Sequence, residues 1–383
     1  LTLKRADGTS KVVSLIRDEI VLDETFARSA IVNEGSRKIG YIYLPEFYAD
    51  WERPNGAKSA EDVAKEIQKL KEQNIDGIIM DLRNNGGGSL FDVIQMVGLF
   101  IDEGPVVQVK DRQGVPSVLR DKDKGVLYDG PLAVMVNEFS ASASEIFAAA
   151  IQDYKRGVII GSTSTYGKGT VQRNIGLDGG RSGLLVSNDE DAAANLGTVK
   201  LTLQKFYRIN GGSTQLKGVT PDIVLPDQFE YLQYREKDNP DALQWDEIAK
   251  AKYTPWSNGT DISIIRQTEE GRIKKDSVFE QIKANTQRLA ELNDKLYTLN
   301  IKKYQEEQKQ IREIVRQIDK LTKTNKANPV ELLPADIARF SNDEAKHERQ
   351  ELWLKNLKSD IYINETVSIV NNIISNNAIV RSK

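Results

Sequence analysis

Three short apolar runs constrain the fold of this chain more than any other feature of its sequence. They cover residues 77–82, 132–136 and 157–161. Uninterrupted hydrophobic runs of this length are typical of strands that are buried on both faces of a parallel sheet. The first two runs are each followed by a turn of small residues and by a helical pattern, at Leu90–Phe100 and Glu145–Tyr154. This alternation of strand and helix predicts an α/β fold.

The regions on either side of these runs follow other patterns. Leu1–Asp23 reads as a strand, a turn and a second strand, so we interpret it as the end of a small β domain or as an isolated hairpin. Val199–Leu203 and Phe206–Ile209 predict an antiparallel β-extension. Residues 278–321 are highly charged, with apolar residues at steps of three and four, which indicates long amphipathic helices. Their charge favours a solvated helical appendage.

The composition limits the chemistry that this chain can perform. Its 383 residues include no cysteine and one histidine. The absence of cysteine excludes disulfides, thiol nucleophiles and cysteine-ligated metal sites. The single histidine, His347, lies in a charged helical pattern and is interpreted as an exposed residue. We therefore expect a lysine, a carboxylate or a tyrosine to act as the acid–base group, and no metal or organic cofactor is implied.

Charge and hydropathy exclude further classes of function. The chain has 53 basic and 56 acidic residues and a net charge of −3, which gives no electrostatic footprint for nucleic acid. No apolar run approaches the roughly 20 residues that a transmembrane helix needs. The chain starts at Leu1 and shows no signal peptide, so we interpret it as a mature or trimmed fragment.

The first turn after an apolar run, Asp81–Gly88, ends in three glycines. Glycines allow positive φ angles and expose backbone N–H groups, which together can cradle an anion. A developing oxyanion and a phosphate are both candidates for that anion. A plain tight turn is the alternative interpretation.

The second turn, Ser140–Glu145, places small hydroxyl residues at the start of a helix. A serine at this position has amide donors nearby that could hold a tetrahedral intermediate. The spacing Ser142-x-x-Glu145 also fits a capping box, which requires no catalysis. The two roles conflict, because a hydroxyl that caps the helix is not free to attack.

The third turn, Thr165–Gln172, contains Lys168 between two glycines. Burial of a lysine ammonium disfavours its charge, so the amine can serve as a general base. A P-loop is excluded because Gly169 stands where that motif requires Ser or Thr. With histidine nearly absent, a Ser/Lys pair is the natural nucleophilic option.

The three turns together resemble, in order and spacing, the tail-specific protease family, which comprises the C-terminal processing peptidases. Phe206–Ile223 and Asp360–Val367 also resemble the long-form periplasmic (Prc) type. The resemblance implies a crotonase-like protease core with a β-extension and an all-helical C-terminal domain. The implied domains are a C-terminal remnant of a PDZ-like domain, the Ser/Lys protease core, a linker and the helical domain, at 1–23, 24–228, 229–258 and 259–383.

The resemblance also implies a role for individual residues. Ser142 is the implied nucleophile, Lys168 the general base, and Gln172 the residue that orients the lysine. Asp153 fits a structural partner equally well. The other implied site residues are the oxyanion-hole amides of Gly88, Gly87 and Ala143 and the supporting side chains of Glu145, Asp153, Thr165 and Arg83.

By the same resemblance, the chain is expected to be a bacterial serine endopeptidase of the periplasm or cell envelope. It would cut protein or peptide substrates that are bound through their C-terminal tails, and the family leaves room for an adaptor lipoprotein and for oligomers. Two departures motivate an alternative, a latent or non-catalytic polypeptide-binding scaffold. Ser142 and Lys168 are 26 positions apart, one more than the usual interval, and most of the PDZ domain is absent from the chain.

Overall fold

The computed structural model describes residues 1–17, 23–177, 197–256, 262–293, 296, 298–324, 328–340 and 343–381. Its strands are β1 Thr2–Lys4, β2 Ser10–Val12, β3 Arg28–Glu34, β4 Arg37–Tyr43, β5 Gly77–Asp81, β6 Gly104–Asp111, β7 Pro116–Asp121, β8 Leu132–Val136, β9 Val158–Gly161, β10 Thr170–Gly176, β11 Thr198–Tyr207, β12 Ile223–Val224 and β13 Val330–Glu331. Its helices are α1 Ser59–Glu72, α2 Leu90–Gly98, α3 Ala143–Asp153, α4 Ile262–Ile273, α5 Ser277–Asn293, α6 Ile301–Leu321, α7 Pro334–Phe340, α8 Glu344–Ser359 and α9 Ile361–Arg381.

The main sheet has seven strands in the order β12-β9-β8-β5-β4-β3-β13. The five strands from β12 to β4 are parallel, and β3 and β13 are antiparallel to their neighbours. The three apolar runs form β5, β8 and β9, which are adjacent in this sheet. The α/β prediction is therefore confirmed, and the turns that follow these strands lie at one edge of the sheet.

Helices α1, α2 and α3 cover one face of the main sheet. Side chains from these helices, including Ile67, Met96 and Phe147, share a hydrophobic core with the strand residues Ile78 and Val134. In the chain, α1 precedes β5, α2 lies between β5 and β8, and α3 follows β8. This layer gives α3 a fixed position relative to the end of β8.

The C-terminal helices cover the opposite face of the main sheet. Val367 and Val370 of α9 and Phe279 of α5 are buried together with Ile79 and Met135 of the sheet. Strand β13, which comes from the same C-terminal region, also joins the sheet beside β3. The interpretation of residues 278–321 as a solvated appendage is wrong for α5, because Phe279 and Ile282 of this helix are buried in the core on this face of the sheet.

A second sheet has four antiparallel strands in the order β10-β11-β6-β7. It confirms the predicted antiparallel extension, although one continuous strand, β11, replaces the two predicted segments. The sequence analysis assigned no element to β6 and β7. At the start of the chain, β1 and β2 form an exposed hairpin. No helix in the described part of the chain is long and apolar enough to cross a membrane.

Candidate active site

The turns after β5, β8 and β9 meet at the carboxyl edge of the parallel strands. The N–H of Ala141 donates to the Asn85 carbonyl at 3.0 Å, and the N–H of Tyr166 donates to the Ser140 carbonyl at 3.0 Å. The first of these bonds joins the glycine-rich turn to the serine turn, and the second joins the serine turn to the lysine loop. The structure thus brings together the three segments that carry the predicted nucleophile, base and oxyanion donors.

Ser142 lies immediately before α3 in a strained backbone conformation. Its φ is +56° and its ψ is −111°, a combination that residues other than glycine rarely adopt. Gly87, with φ +110°, packs against this turn so closely that a Cβ on it would lie 2.7 Å from the Ser142 Cβ. The Ser142 side chain is half-buried. The strand-to-helix turn therefore presents this hydroxyl beside the glycine-rich loop.

Glu145 links the serine turn to the lysine loop. It is fully buried and accepts four hydrogen bonds, from the N–H groups of Ser142 (2.8 Å), Gly167 (2.7 Å) and Lys168 (3.0 Å) and from the hydroxyl of Thr165 (2.6 Å). Burial raises the pKa of its carboxyl group to about 7, although the four donors oppose this shift. Glu145 forms one half of the predicted capping box by accepting the N–H of Ser142, and it also holds residues more than 20 positions away. The Ser142 hydroxyl makes no cap hydrogen bond among the described residues, so it is not committed to the helix end.

Lys168 is half-buried and is fixed through its backbone. Its N–H donates to Glu145, and its carbonyl accepts the hydroxyl of Thr214 at 2.8 Å. Among the residues that the structure describes, its ammonium has no hydrogen-bond or ion-pair partner. Within the described residues, hydrogen bonds therefore fix the backbone of Lys168 but not its side-chain amine.

The predicted oxyanion donors differ in their availability. The N–H of Gly87 donates to the side-chain oxygen of Asn85 at 2.9 Å, so it is already used in this conformation. The N–H groups of Gly88 and Ala143 make no hydrogen bond within the described ranges. The Cβ position of Gly87 lies 3.1 Å from the Ala143 nitrogen, which brings the two loops into contact there. Gly88 and Ala143 therefore remain the candidate donors, and Gly87 serves to admit the close approach.

Asp153 does not lie near the serine turn. It is the last residue of α3, about 15 Å along the helix axis from Ala143 at the usual rise per residue. Its carboxylate pairs with Arg208 at 2.6 Å and accepts a hydrogen bond from Asn210 at 2.9 Å. These contacts favour the structural interpretation of Asp153, since the helix separates it from the serine turn.

The Gln172 side chain forms no hydrogen bond with Lys168 among the described residues. It is exposed on β10, and its side-chain amide donates across the strand pair to the Thr202 hydroxyl at 3.4 Å. An irregularity in strand pairing falls between Val171 and Gln172. The expected role for Gln172 in orienting the lysine is therefore not realised in this conformation.

Thr165 and Arg83 support different parts of the molecule. Thr165 is buried, donates to Glu145 and accepts the N–H of Val219 at 2.7 Å, so it belongs to the lysine loop's support. Arg83 forms ion pairs with Asp81 at 2.6 Å and with Asp360 at 3.0 Å. Because Asp360 directly precedes α9, Arg83 joins the sheet edge to the C-terminal helices.

The sequence analysis did not single out the segment that holds the far side of the lysine loop. Thr214 contacts the Lys168 carbonyl, and the buried Gln215 accepts the N–H of Gly169 at 2.8 Å. Both residues lie within Phe206–Ile223, the segment that resembles the long-form type of the family. No general pattern of hydrophobicity or spacing marks these two side chains, which act here through tertiary hydrogen bonds. No cluster of metal-ligating side chains occurs in the described ranges.

Two protein-family models match consecutive parts of the chain. Residues 38–225 match Peptidase family S41, and residues 229–375 match the C-terminal domain of tail specific protease. The chain belongs to the tail-specific, C-terminal processing peptidase family. The first match contains the serine turn and the lysine loop, and the second contains the helices that cover the far face of the sheet.

Two curated relatives agree with this family membership, and one solved structure is similar to part of the chain. The chain is 40% identical over 289 residues to the tail-specific protease of Haemophilus influenzae, an alignment that covers 73% of this chain and 39% of the relative. It is 32% identical over 229 residues to the chloroplastic carboxyl-terminal-processing peptidase 2 of Arabidopsis thaliana, covering 59% and 40%. The solved photosystem II D1 C-terminal processing protease is 25% identical, with a TM-score of 0.43 and coverage of 57% and 53%. The chain spans about two fifths of the length of the two curated relatives.

Proposed function

We propose that this protein is a serine endopeptidase that uses Ser142 and Lys168 as a catalytic dyad. The observation that carries the proposal is the Glu145 carboxylate, which binds the backbone N–H groups of both residues at 2.8 and 3.0 Å. A buried carboxylate that spans the two loops keeps the hydroxyl-bearing turn and the amine-bearing loop in register. Holding a nucleophile and a base in a fixed geometry lowers the entropic barrier of the reaction between them.

The chemistry follows from the positions of these groups. The neutral Lys168 amine takes the proton of the Ser142 hydroxyl as the oxygen attacks the scissile carbonyl carbon. The N–H groups of Gly88 and Ala143 stabilise the resulting oxyanion. The Lys168 ammonium then gives its proton to the leaving amine as the C–N bond breaks. Water hydrolyses the acyl-enzyme with the same lysine acting as base, and the serine hydroxyl is restored.

The substrates in this proposal are exported proteins that are recognised by apolar C-terminal tails in the periplasm or cell envelope. The Haemophilus relative is named a tail-specific protease, which supports the recognition of tails. Residues 24–228 would form the protease core, 229–258 a linker and 259–383 the helical domain, with 1–23 as the end of a PDZ-like domain. An adaptor lipoprotein and an oligomeric assembly are compatible with this arrangement.

The test is cleavage of an unfolded polypeptide that ends in an apolar tail, with the full-length parent protein and with this chain. We expect Ser142→Ala and Lys168→Ala each to lower kcat by about 10³-fold or more, because the members of a catalytic unit act together. Ser117→Ala and Lys124→Ala are matched controls at exposed positions and should cut normally. Normal cleavage by Ser142→Ala would overturn the assignment. Tight binding without cleavage by the wild-type protein would favour the scaffold alternative.

A further inference from the structure

One short segment runs along the lysine loop and bonds to three consecutive residues of it. The N–H of Leu216 donates to the Gly167 carbonyl at 2.8 Å. The Thr214 hydroxyl donates to the Lys168 carbonyl at 2.8 Å, and the side-chain oxygen of Gln215 accepts the N–H of Gly169 at 2.8 Å. The backbone on both sides of the proposed base is therefore held by a segment 46 positions further along the chain.

The lysine backbone is held from two opposite directions. Glu145 accepts the N–H of Lys168, and Thr214 donates to its carbonyl. Glu145 also accepts the N–H of Ser142, so it links the backbones of Ser142 and Lys168. This link holds Lys168 through its N–H group and leaves its carbonyl group unsupported. The Thr214 bond supplies the opposing support, without which the loop could rotate about its contact with Glu145.

Gln215 uses both ends of its side-chain amide. It is fully buried, and while its oxygen binds the lysine loop, its NH₂ group donates to the Glu236 carboxylate at 2.9 Å. The N–H of Glu236 donates in turn to the Tyr166 carbonyl at 3.0 Å. A Cβ on Gly169 would lie 2.6 Å from the Gln215 nitrogen, so the two backbones are packed without slack. The short helix Glu236–Asp238 thus contacts the lysine loop twice, once directly and once through Gln215.

We propose that Thr214 and Gln215 are positioning residues for Lys168, and that Glu236 completes this support from the segment after the protease core. The proposal rests on the proposed function, since it assigns these side chains a role in placing the catalytic base. It also predicts that the segment 229–258 contributes to catalysis and does not merely connect two domains.

The first experiment compares Thr214→Val with Thr214→Ser in the full-length parent protein. Valine keeps the shape of threonine but leaves the Lys168 carbonyl without its donor, whereas serine keeps the hydroxyl. We expect Thr214→Val to lower kcat by about 30-fold with KM changed by less than about threefold, because displacement of a catalytic group by about 1 Å costs up to 10²-fold in rate. Thr214→Ser should stay within about threefold of the wild type.

The second experiment exchanges the side chains of the Gln215–Glu236 pair. Gln215→Glu keeps the acceptor for Gly169 but sets two carboxylates against each other, and we expect a fall in kcat of about tenfold or more. Adding Glu236→Gln restores a donor between the two positions, so the double variant should recover most of the lost kcat. Gln113→Glu makes the same chemical change in an exposed turn and serves as the control.

Melting temperatures are measured for every variant, so that kcat is expressed per folded molecule. Positioning is supported if Thr214→Ser and the double variant Gln215→Glu, Glu236→Gln recover kcat even though their melting temperatures differ from that of the wild type. Activity that follows only the folded fraction, or wild-type kcat in Thr214→Val and Gln215→Glu, overturns it. Ser142→Ala and Lys168→Ala are assayed in parallel: if they cut normally, the proposed function fails, and if they are inactive while the new variants are normal, only this inference fails.

Discussion

Ser142 and Lys168 stand on loops that are held in place by different means. Ser142 lies in the turn between β8, which ends at Val136, and α3, which begins at Ala143, so an element of the main layer lies on either side of it. Lys168 lies between β9 of the seven-stranded sheet and β10 of the four-stranded sheet. Its loop donates hydrogen bonds to Glu145 and Gln215 and accepts one from Thr214.

This difference separates a rigid half of the site from a dependent half. The position of the nucleophile follows from strand and helix packing, which tolerates loss of a single hydrogen bond. The position of the base depends on a few buried polar contacts, and each of these leaves an unsatisfied group when it is removed. Changes that break contacts around Lys168 should therefore cost rate, whereas changes around Ser142 must deform the turn itself to have a comparable effect.

Replacement of Glu145 should have the largest effect, because this residue joins the two halves. Glu145→Ala removes the acceptor of four hydrogen bonds and leaves their donors buried. We expect kcat to fall by about 10³-fold, because the serine turn and the lysine loop lose the carboxylate that binds both of them. Activity and thermal melting of the full-length protein measure the result. A variant that melts normally and retains more than a tenth of the activity would contradict the linking role.

Gly87→Ala tests the rigid half by deforming it. The new Cβ would lie 2.7 Å from the Ser142 Cβ, at a φ of +110° that alanine rarely adopts. We expect about a 10²-fold loss of kcat because the serine turn must move to relieve the contact. Gly86→Ala is the matched control, since nothing lies within 4 Å of its Cβ position. Equal activity of the two variants would mean that the close approach of the loops has no catalytic role.

The rigid half was the more accessible to prediction from sequence. The apolar run before it, the capping-box spacing of Ser142 and Glu145 and the glycines at 86–88 are all local signals, and the structure places them as expected. The bonds from Glu145 to Thr165, Gly167 and Lys168 were not predictable, since they join segments about 20 positions apart.

Prediction from sequence is weakest where a residue's surroundings come from distant segments. Gln172 follows the lysine motif in sequence, yet the strand β10 carries it away to pair with Thr202. The cover of the second sheet face was also missed, because the average charge of residues 278–321 hides buried positions such as Phe279 and Ile282. Average composition indicates how polar a whole segment is. The burial of a helix depends instead on the apolar residues along the one face that packs against the sheet.

The pH dependence of activity should show the titration of the shared glutamate. Burial raises the pKa of Glu145 to about 7, and only the ionised carboxylate can accept all four of its hydrogen bonds. Activity should therefore rise with pH through about 7, with about a tenfold loss one to two units below it. Glu145→Gln should remove this step from the profile of kcat/KM.

Stability should change in the opposite direction over the same range. The folded-state pKa of Glu145 is above its unfolded value of about 4.5, so the folded protein holds this proton more tightly. The stabilising contribution is complete below about pH 4.5 and is lost as the pH rises through about 7. Urea unfolding at several pH values measures it, and a Glu145→Gln protein with an unchanged slope would disprove the assignment.

Asp153→Asn should have the smallest effect on catalysis and sharpens the contrast between site and scaffold. Asp153 ends α3 far from Ser142, and its carboxylate pairs with Arg208 and Asn210 on the four-stranded side of the core. Removal of the charge weakens a largely buried ion pair, which should lower stability by about 1–3 kcal/mol. The kcat per folded molecule should stay within about threefold of the wild type, because the serine turn is anchored at the other end of the helix by β8 and by Glu145. A large fall in kcat at unchanged melting temperature would instead show that α3 transmits a change along its length to Ser142, and the nucleophile would then share the dependence on distant contacts that distinguishes the lysine loop.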